Sequence, residues 1–166
     1  MQDLLPAAQK LGAILKTRQE TIAVAESSTG GLISAALLSV PGASAYFTGG
    51  AVVYTLKARR AMLDVPDWAF EGIKSVTEEG ALILARAART RFGVTWSIAE
   101  IGASGPTGNR YGDPAGHSCI AVAGTVERSV TVETGSADRL ANMRAFAAAA
   151  LDLLIQSVTS SGGHVG

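Results

Sequence analysis

Cysteine and histidine are scarce in this chain. Its 166 residues include one cysteine, Cys119, and two histidines, His117 and His164. A single cysteine excludes an internal disulfide framework and a cysteine-based metal site. Two histidines so far apart also argue against a zinc centre, so we expect no metal. Cys119 lies in an apolar run and is interpreted as a core residue.

Net charge and long apolar runs are absent as well. Lysine plus arginine and aspartate plus glutamate each number 14, which argues against a nucleic-acid partner because phosphate binding normally needs a basic excess. No apolar run approaches the roughly 20 residues that cross a bilayer. The opening Met1-Gln2-Asp3 has no basic region before an apolar stretch and so does not resemble a signal peptide. We therefore expect a cytoplasmic protein with no membrane partner.

Aromatic residues form only 5% of the chain, whereas hydrophobic residues form 48% and charged residues 17%. This composition excludes disorder. Small aliphatic side chains must fill most of the core, which favours helices packed closely against a sheet. The length fits one domain, to which we assign residues 1–159, with a flexible tail at 160–166.

The apolar pattern predicts alternating helices and strands. A helix is expected at 3–18 and a buried strand at 21–25, followed by a polar turn and a helix from Leu32. This order is typical of an α/β layered fold. Thr77 and Gly93 are suited to begin and end a helix that reaches Phe92. The other predicted elements are strands at 51–54, 94–101, 117–123 and 126–133 and helices at 57–63 and 138–158.

The segment 25–31, Ala-Glu-Ser-Ser-Thr-Gly-Gly, is the first candidate for chemistry. It follows a strand and opens a helix, which is where open α/β sheets place their ligands. Backbone N–H groups at a helix start can hold an anion, and the hydroxyls of Ser27, Ser28 and Thr29 offer a nucleophile or phosphate contacts. An equally weighted alternative is a helix N-cap with spare hydroxyls. No Walker A sequence is present.

A serine nucleophile also needs a base. His164 falls in the tail and His117 at a strand start, so a Ser-His-Asp arrangement is not supported. Tyr54 and Lys57 follow the second strand and leave Ser-Lys or Ser-Tyr chemistry open, whereas a solvated basic face including Arg59 is the simpler interpretation of this region. The long segment 102–116 is either a substrate-binding loop or a mobile surface connection.

These residues resemble a known family. Residues 25–31 are similar to the AESCTGG motif of the CinA C-terminal domain family, which includes nicotinamide mononucleotide deamidases. The resemblance continues, in the same order and spacing over roughly residues 4 to 158, through segments 40–44, 49–54, 63–66, 76–79, 102–106, 114–116 and 138–139.

The resemblance implies a three-layer α/β/α sandwich with a mixed, mostly parallel five-stranded sheet. It also implies a homo-oligomer that hydrolyses the carboxamide of nicotinamide mononucleotide, without a cofactor, to nicotinate mononucleotide and ammonia. Ser27 would be the nucleophile, and Tyr54 matches a family tyrosine. Thr29, Gly30 and Gly31 would orient the nucleotide and supply amide donors. The remaining positions expected to bind substrate are Ser28, Lys57, Gly102, Ser104, Gly105 and Arg144.

The chain departs from the family pattern around the catalytic lysine. Where the family has Tyr-Ser-Asn-x-x-Lys, Leu56 replaces the asparagine and Arg59 the lysine. Arg59 stays protonated and cannot be a general base, although it can bind an oxyanion or phosphate. Lys57 lies about 200° from Arg59 on a helix, so substituting for the family lysine would require a local distortion. Ile101 and Asp113 replace a hydroxyl residue and a lysine.

These departures leave three hypotheses. The chain is a nucleotide amidohydrolase with a rearranged activation of Ser27, or a catalytically weak or inactive relative that binds a nucleotide or protein partner. The third hypothesis is hydrolysis of another amide or ester whose leaving group needs less help.

Overall fold

The computed structural model describes residues 1–161. Five strands form one sheet in the order β2-β1-β3-β4-β5. β1 pairs in parallel with β2 and with β3, whereas β3–β4 and β4–β5 are antiparallel pairs. The strands are β1 (Ile22–Glu26), β2 (Phe47–Val52), β3 (Trp96–Ala103), β4 (His117–Ala123) and β5 (Arg128–Glu133).

Helices cover both faces of the sheet and so confirm the expected layered α/β/α fold. They are α1 (Leu5–Arg18), α2 (Leu32–Leu38), α3 (Leu56–Leu63), α4 (Glu78–Phe92) and α5 (Arg139–Ser160), with 3₁₀ turns at Ala43–Ala45 and Asp67–Phe70. α4 begins and ends where the sequence predicts, because the Thr77 hydroxyl accepts from the Gly80 amide and Gly93 adopts a left-handed conformation.

The two faces of the sheet have different packing partners. One core lies under α1, α2 and α5 and uses large side chains such as Trp96, Ile98 and Ile120. The other lies under α3 and α4 and is rich in alanine, including Ala99 and Ala121. Successive strand residues point to opposite faces of the sheet. The face that carries the small alanine side chains allows α4 to pack close to the sheet, as the scarcity of aromatic residues suggests.

β2 begins earlier than the sequence pattern indicates, at Phe47 rather than residue 51. Gly49 and Gly50 were interpreted as preceding the strand, because glycine is unfavourable within strands. They pair with Ala23 and Val24 of β1, and glycine is required there because neighbouring side chains occupy the space of a Cβ atom. A Cβ at Gly49 would lie 2.7 Å from the Phe92 ring, and one at Gly50 would overlap the Ser34 hydroxyl.

The parallel strands bring three chain segments to one edge of the sheet. β1, β2 and β3 run in the same direction, so the residues that follow Glu26, Val52 and Ala103 meet at their carboxyl ends. Ligands of open α/β sheets bind at this edge.

At the C-terminal end of the chain, α5 includes Ser160, and residues 162–166 of the predicted tail lie outside the described residues. No helix within 1–161 is long and apolar enough to span a bilayer.

Tyr46 offers a test of how α2 is held beside the sheet. Its buried hydroxyl donates to the Leu37 carbonyl over 2.6 Å, and burial raises the pKa of Tyr46. We expect Tyr46→Phe to lower the free energy of unfolding by about 1–2 kcal/mol, because the carbonyl then lacks its donor. Urea unfolding should show a lower midpoint with an unchanged slope. Tyr54→Phe, at an exposed tyrosine, is the control; an equal loss there would contradict this account.

Candidate functional site

Glu26 ends β1 and is fully buried. Its carboxylate accepts hydrogen bonds from the amides of Gly31, Ile33 and Ser34 at 2.8–3.0 Å. The hydroxyls of Thr29 and Ser34 also donate to it, at 2.8 and 2.6 Å. The negative charge at the start of α2 is therefore supplied by the protein itself.

Glu100 lies beside Glu26, because the residues that precede them, Ala25 and Ala99, are paired in the parallel register of β1 and β3. It too is fully buried. It accepts from the Ser27 and Thr29 amides at 3.1 and 2.9 Å. Its hydroxyl donors are Ser28 and, at 3.0 Å, Ser118, and it shares the Thr29 hydroxyl, 3.0 Å away, with Glu26. Two buried carboxylates thus fix both ends of the serine loop, which we define as residues 27–31.

The hydrogen bonds of the serine loop leave one amide free. The Gly30 and Leu32 amides donate to the carbonyls of Ser27 and Thr29, and the remaining amides of 27–34 except Ser28 donate to the two glutamates. Within residues 1–161 no acceptor faces the Ser28 amide. The amides of Thr29, Gly30 and Gly31 that we expected to meet a substrate are therefore already used. For the same reason, the amides at the start of α2 that we expected to hold an anion are already occupied by Glu26.

Ser27 opens onto a cleft of about 510 Å³, which we call the serine cleft. The serine is only 5% exposed, and its hydroxyl has no hydrogen-bond partner among residues 1–161. The other residues that line the serine cleft are Tyr54, Thr55, Leu56, Lys57, Arg59, Ser75, Val76, Ile101, Gly102, Asn109, Arg110 and Tyr111.

Among residues 1–161, the serine cleft is lined by cations and by no carboxylate. Lys57, Arg59 and Arg110 face it, although the chain as a whole has no net charge. Lys57 and Arg59 both lie in the first turn of α3 and both line the cleft. Arg60 is turned away and pairs with Asp67 at 3.3 Å. This arrangement suits a small anionic ligand.

Arg59 is the buried member of the set, at 6% exposure. Its Nη1 donates to the Ser75 hydroxyl over 2.8 Å, and its guanidinium lies 5.1 Å from the centre of the Phe70 ring. Its Nε is buried without a partner, and no carboxylate in the described part of the chain lies within ion-pair distance. Burial lowers the pKa of Arg59 because it disfavours the charged form of the guanidinium, and Tyr111 acts in the opposite direction.

The segment 104–116 covers the serine cleft and is braced internally. The Asn109 side chain accepts from the amides of Tyr111 and Asp113 and donates to the Asp113 carboxylate. Asp113 is buried and also accepts from Lys74, on the α3–α4 connection. Burial acts to raise the pKa of Asp113, but the bonds from Lys74 and Asn109 and the charge of His117 lower it below its ordinary value.

A smaller cavity of about 200 Å³, the loop pocket, lies beside the serine cleft. Tyr54 and Gly102 line both, whereas Ser28, Ser104 and Gly105 line only the loop pocket. The Ser104 hydroxyl is buried and has no partner in residues 1–161.

Other expected residues lie away from the serine cleft. Arg144 is exposed on α5. The pKa of Asp3 is lowered mainly by a hydrogen bond from the amino terminus and also by the charge of Arg144, so Arg144 lies near Asp3. Gly30 and Gly31 adopt left-handed conformations that turn the chain into α2 and line neither cavity. His117 contacts Glu133 rather than Ser27. No three His, Cys, Asp or Glu side chains within 1–161 are grouped as metal ligands would be.

Glu100 was not among the residues predicted for the site, and Glu26 was predicted only as part of the 25–31 motif. A detectable signal was present, because Glu100 is the one charged residue of Trp96–Ala103. A carboxylate in a strand covered on both faces is costly to bury unless donors meet it. Phe70, Ser75 and Asn109 carried no comparable signal, since chain folding alone brings them to Arg59 and the cleft.

Replacing Glu100 should uncouple the serine loop from β3. Glu100→Gln keeps the shape but presents amide hydrogens to groups that themselves donate. We expect the free energy of unfolding to fall by about 3 kcal/mol. Urea unfolding measures this, with exposed Glu79→Gln as the control. A loss below about 0.5 kcal/mol would show that the serine loop does not depend on this carboxylate.

Asp113 gives the covering segment a pH dependence. Because its folded pKa lies below the ordinary 3.8, ionised Asp113 contributes stability at neutral pH, which is lost as the pH falls through the folded pKa. We expect Asp113→Asn to destabilise the protein at pH 7 and the difference from wild type to shrink below about pH 4. Urea unfolding across this range checks it, with exposed Asp152→Asn as the control at pH 7. A difference independent of pH would contradict this assignment.

Comparisons with known proteins match most of the chain. The CinA C-terminal domain family matches residues 5–158. A CinA-like protein of Desulforapulum autotrophicum is 36% identical over 159 residues, which cover 95% of this chain and 37% of that protein. A CinA-like protein of Parasynechococcus marenigrum is 40% identical over 121 residues, covering 73% and 29%.

The fold comparison agrees with the sequence comparison. The competence/damage inducible protein CihA from Agrobacterium tumefaciens has a crystal structure that matches with a TM-score of 0.86 at 29% identity, covering 93% of this chain and 94% of that one. This chain spans 37% of the Desulforapulum relative, so the activities of such longer proteins do not transfer to it directly. The resemblance inferred from residues 25–31 is confirmed: the chain belongs to the CinA C-terminal domain family.

Proposed function

We propose that the protein is an amidohydrolase that releases ammonia from the carboxamide of an anionic nucleotide of the nicotinamide mononucleotide type. The observation that carries the proposal is the position of Ser27. Its unpartnered hydroxyl opens onto a cleft with three cations and no carboxylate. Membership of the CinA C-terminal domain family supports the choice of substrate.

In the proposed reaction, the Ser27 Oγ attacks the carboxamide carbon and forms a C–O bond. The carbonyl oxygen becomes an oxyanion that points towards the adjoining loop pocket, which Ser28 lines, and we assign its donor to the free Ser28 amide. An amide that follows the nucleophile in the chain commonly serves this purpose. Collapse of the intermediate breaks the C–N bond and leaves an acyl-enzyme, and water then releases the carboxylate.

The Ser27 proton needs an acceptor that can pass it to the departing nitrogen. Arg59 is unsuitable because a guanidinium stays protonated. Lys57 of α3 lines the same cleft, and a neutral amine, unlike a guanidinium, can accept a proton. We therefore assign the proton transfer to Lys57 and the binding of the substrate anion to Arg59. Tyr54 forms the exposed rim.

Ammonia release from nicotinamide mononucleotide tests the proposal. We expect turnover by the wild type and a loss of at least about 10³-fold in Ser27→Ala, since the acyl-enzyme cannot form. Ser39→Ala, at the end of α2 and outside the cleft, should behave as wild type. Turnover retained in Ser27→Ala would contradict the assignment of the nucleophile.

The two cations should differ in the kinetic constant that they affect. Lys57→Met should lower kcat by about 10²-fold or more, because proton transfer is lost. Arg59→Met should mainly raise KM, because it removes binding of an anion that does not react. Steady-state kinetics at several substrate concentrations separate these effects. If both variants lower kcat alone, the division between them is wrong.

A nucleotide-binding relative without activity is the second candidate. It is favoured by the absence, within residues 1–161, of any base hydrogen-bonded to the Ser27 hydroxyl. Under this alternative the wild type releases no ammonia above a blank, although calorimetric titration detects mononucleotide binding. If a missing lysine is the defect, Arg59→Lys should raise activity from a low level.

A further inference from the structure

A second pocket joins the serine cleft at Arg59. This side pocket has a volume of about 290 Å³ and shares Leu56, Arg59, Ser75 and Tyr111 with the serine cleft. Arg59 therefore lies between the two spaces. The apolar residues that line the side pocket are Leu56, Val65, Pro66, Phe70 and Ile73.

The charges around the side pocket are paired, except for Arg59. Asp67 pairs with Arg60 at 3.3 Å, and Lys74 pairs with Asp113. Arg59 has Ser75 as its hydrogen-bond acceptor, and no partner within 1–161 meets its Nε or Nη2. A buried guanidinium with most of its donors unused is stabilised by an anion that enters the pocket and accepts a charge-assisted hydrogen bond from it.

The wall beyond Arg59 suits a flat apolar group. The Phe70 ring already packs against the guanidinium, and Leu56 stands where the family pattern has an asparagine. Burial of an apolar ring against these side chains is favourable in proportion to the area removed from water. Phosphate alone would leave this surface exposed.

We propose that the side pocket binds a ring attached to the anionic group that pairs with Arg59. The substrate inference rests on the proposed function, since it places a carboxamide at Ser27. A molecule that satisfies both ends carries the carboxamide in the serine cleft, a phosphate at Arg59 and a second ring in the side pocket. The preferred substrate class is therefore a dinucleotide rather than a mononucleotide.

Binding of two probes tests the side pocket without catalysis. By calorimetric titration, phenyl phosphate should bind about tenfold or more tightly than inorganic phosphate, because its ring is buried. Ile73→Ser should reduce this ratio while leaving phosphate affinity nearly unchanged, because Ile73 lines the side pocket without packing against Arg59 in the way that Phe70 does. Arg59→Met should weaken both probes. Trp68→Ala, at a 74% exposed residue that does not line the side pocket, is the control. Equal affinities for the two probes in the wild type would overturn the proposal.

Ammonia release from the two nucleotide classes tests the substrate inference. We expect kcat/KM for nicotinamide adenine dinucleotide to exceed that for the mononucleotide by about tenfold, and Ile73→Ser to remove the preference. A preference for the mononucleotide would overturn the dinucleotide assignment. If neither releases ammonia while phenyl phosphate retains its advantage, the proposed hydrolysis fails and the ring-binding pocket stands.

Discussion

The burial of two carboxylates side by side determines the geometry of the site. Glu26 and Glu100 lie on adjacent parallel strands and are both inaccessible to water. Buried carboxylates require donors on most of their lone pairs. The serine loop supplies these donors by curling around both side chains, and its conformation follows from that demand. Ser27 is consequently held at the rim of a cavity, with one free amide, that of Ser28, beside it.

This arrangement explains why the positive charge of the site comes from α3 and from the segment 104–116. In many α/β proteins a helix N-terminus provides the anion-binding amides. Here Glu26 occupies the α2 terminus, so a second anion placed there would be repelled. Lys57 and Arg59 of α3 and Arg110 of the covering segment instead line the cleft. In the proposed reaction, a substrate anion at these cations and a carboxamide at Ser27 would occupy the same cleft.

The elements defined by local signals could be predicted, whereas the contacts between distant segments could not. Thr77 and Gly93 identified the ends of α4, and residues 25–31 indicated the ligand edge of the sheet. β2 was misjudged because Gly49 and Gly50 join it for reasons of tertiary packing. The use of the serine-loop amides was equally hidden, since the Ser27 amide donates to an acceptor 73 residues away. Arg144 was chosen by position in the family pattern, and α5 turns it to solvent.

The unpaired charge of buried Arg59 is evidence on whether the cleft binds an anionic ligand. Its burial without a carboxylate carries a cost that a well-packed apolar side chain of similar volume would avoid. Nothing within 1–161 compensates that cost beyond Ser75 and the face of Phe70. A domain whose cleft bound no anion would gain stability by losing this charge, whereas a bound anion removes the cost by pairing with it. The unpaired guanidinium is therefore better explained by ligand binding than by a structural role, whether or not Ser27 reacts.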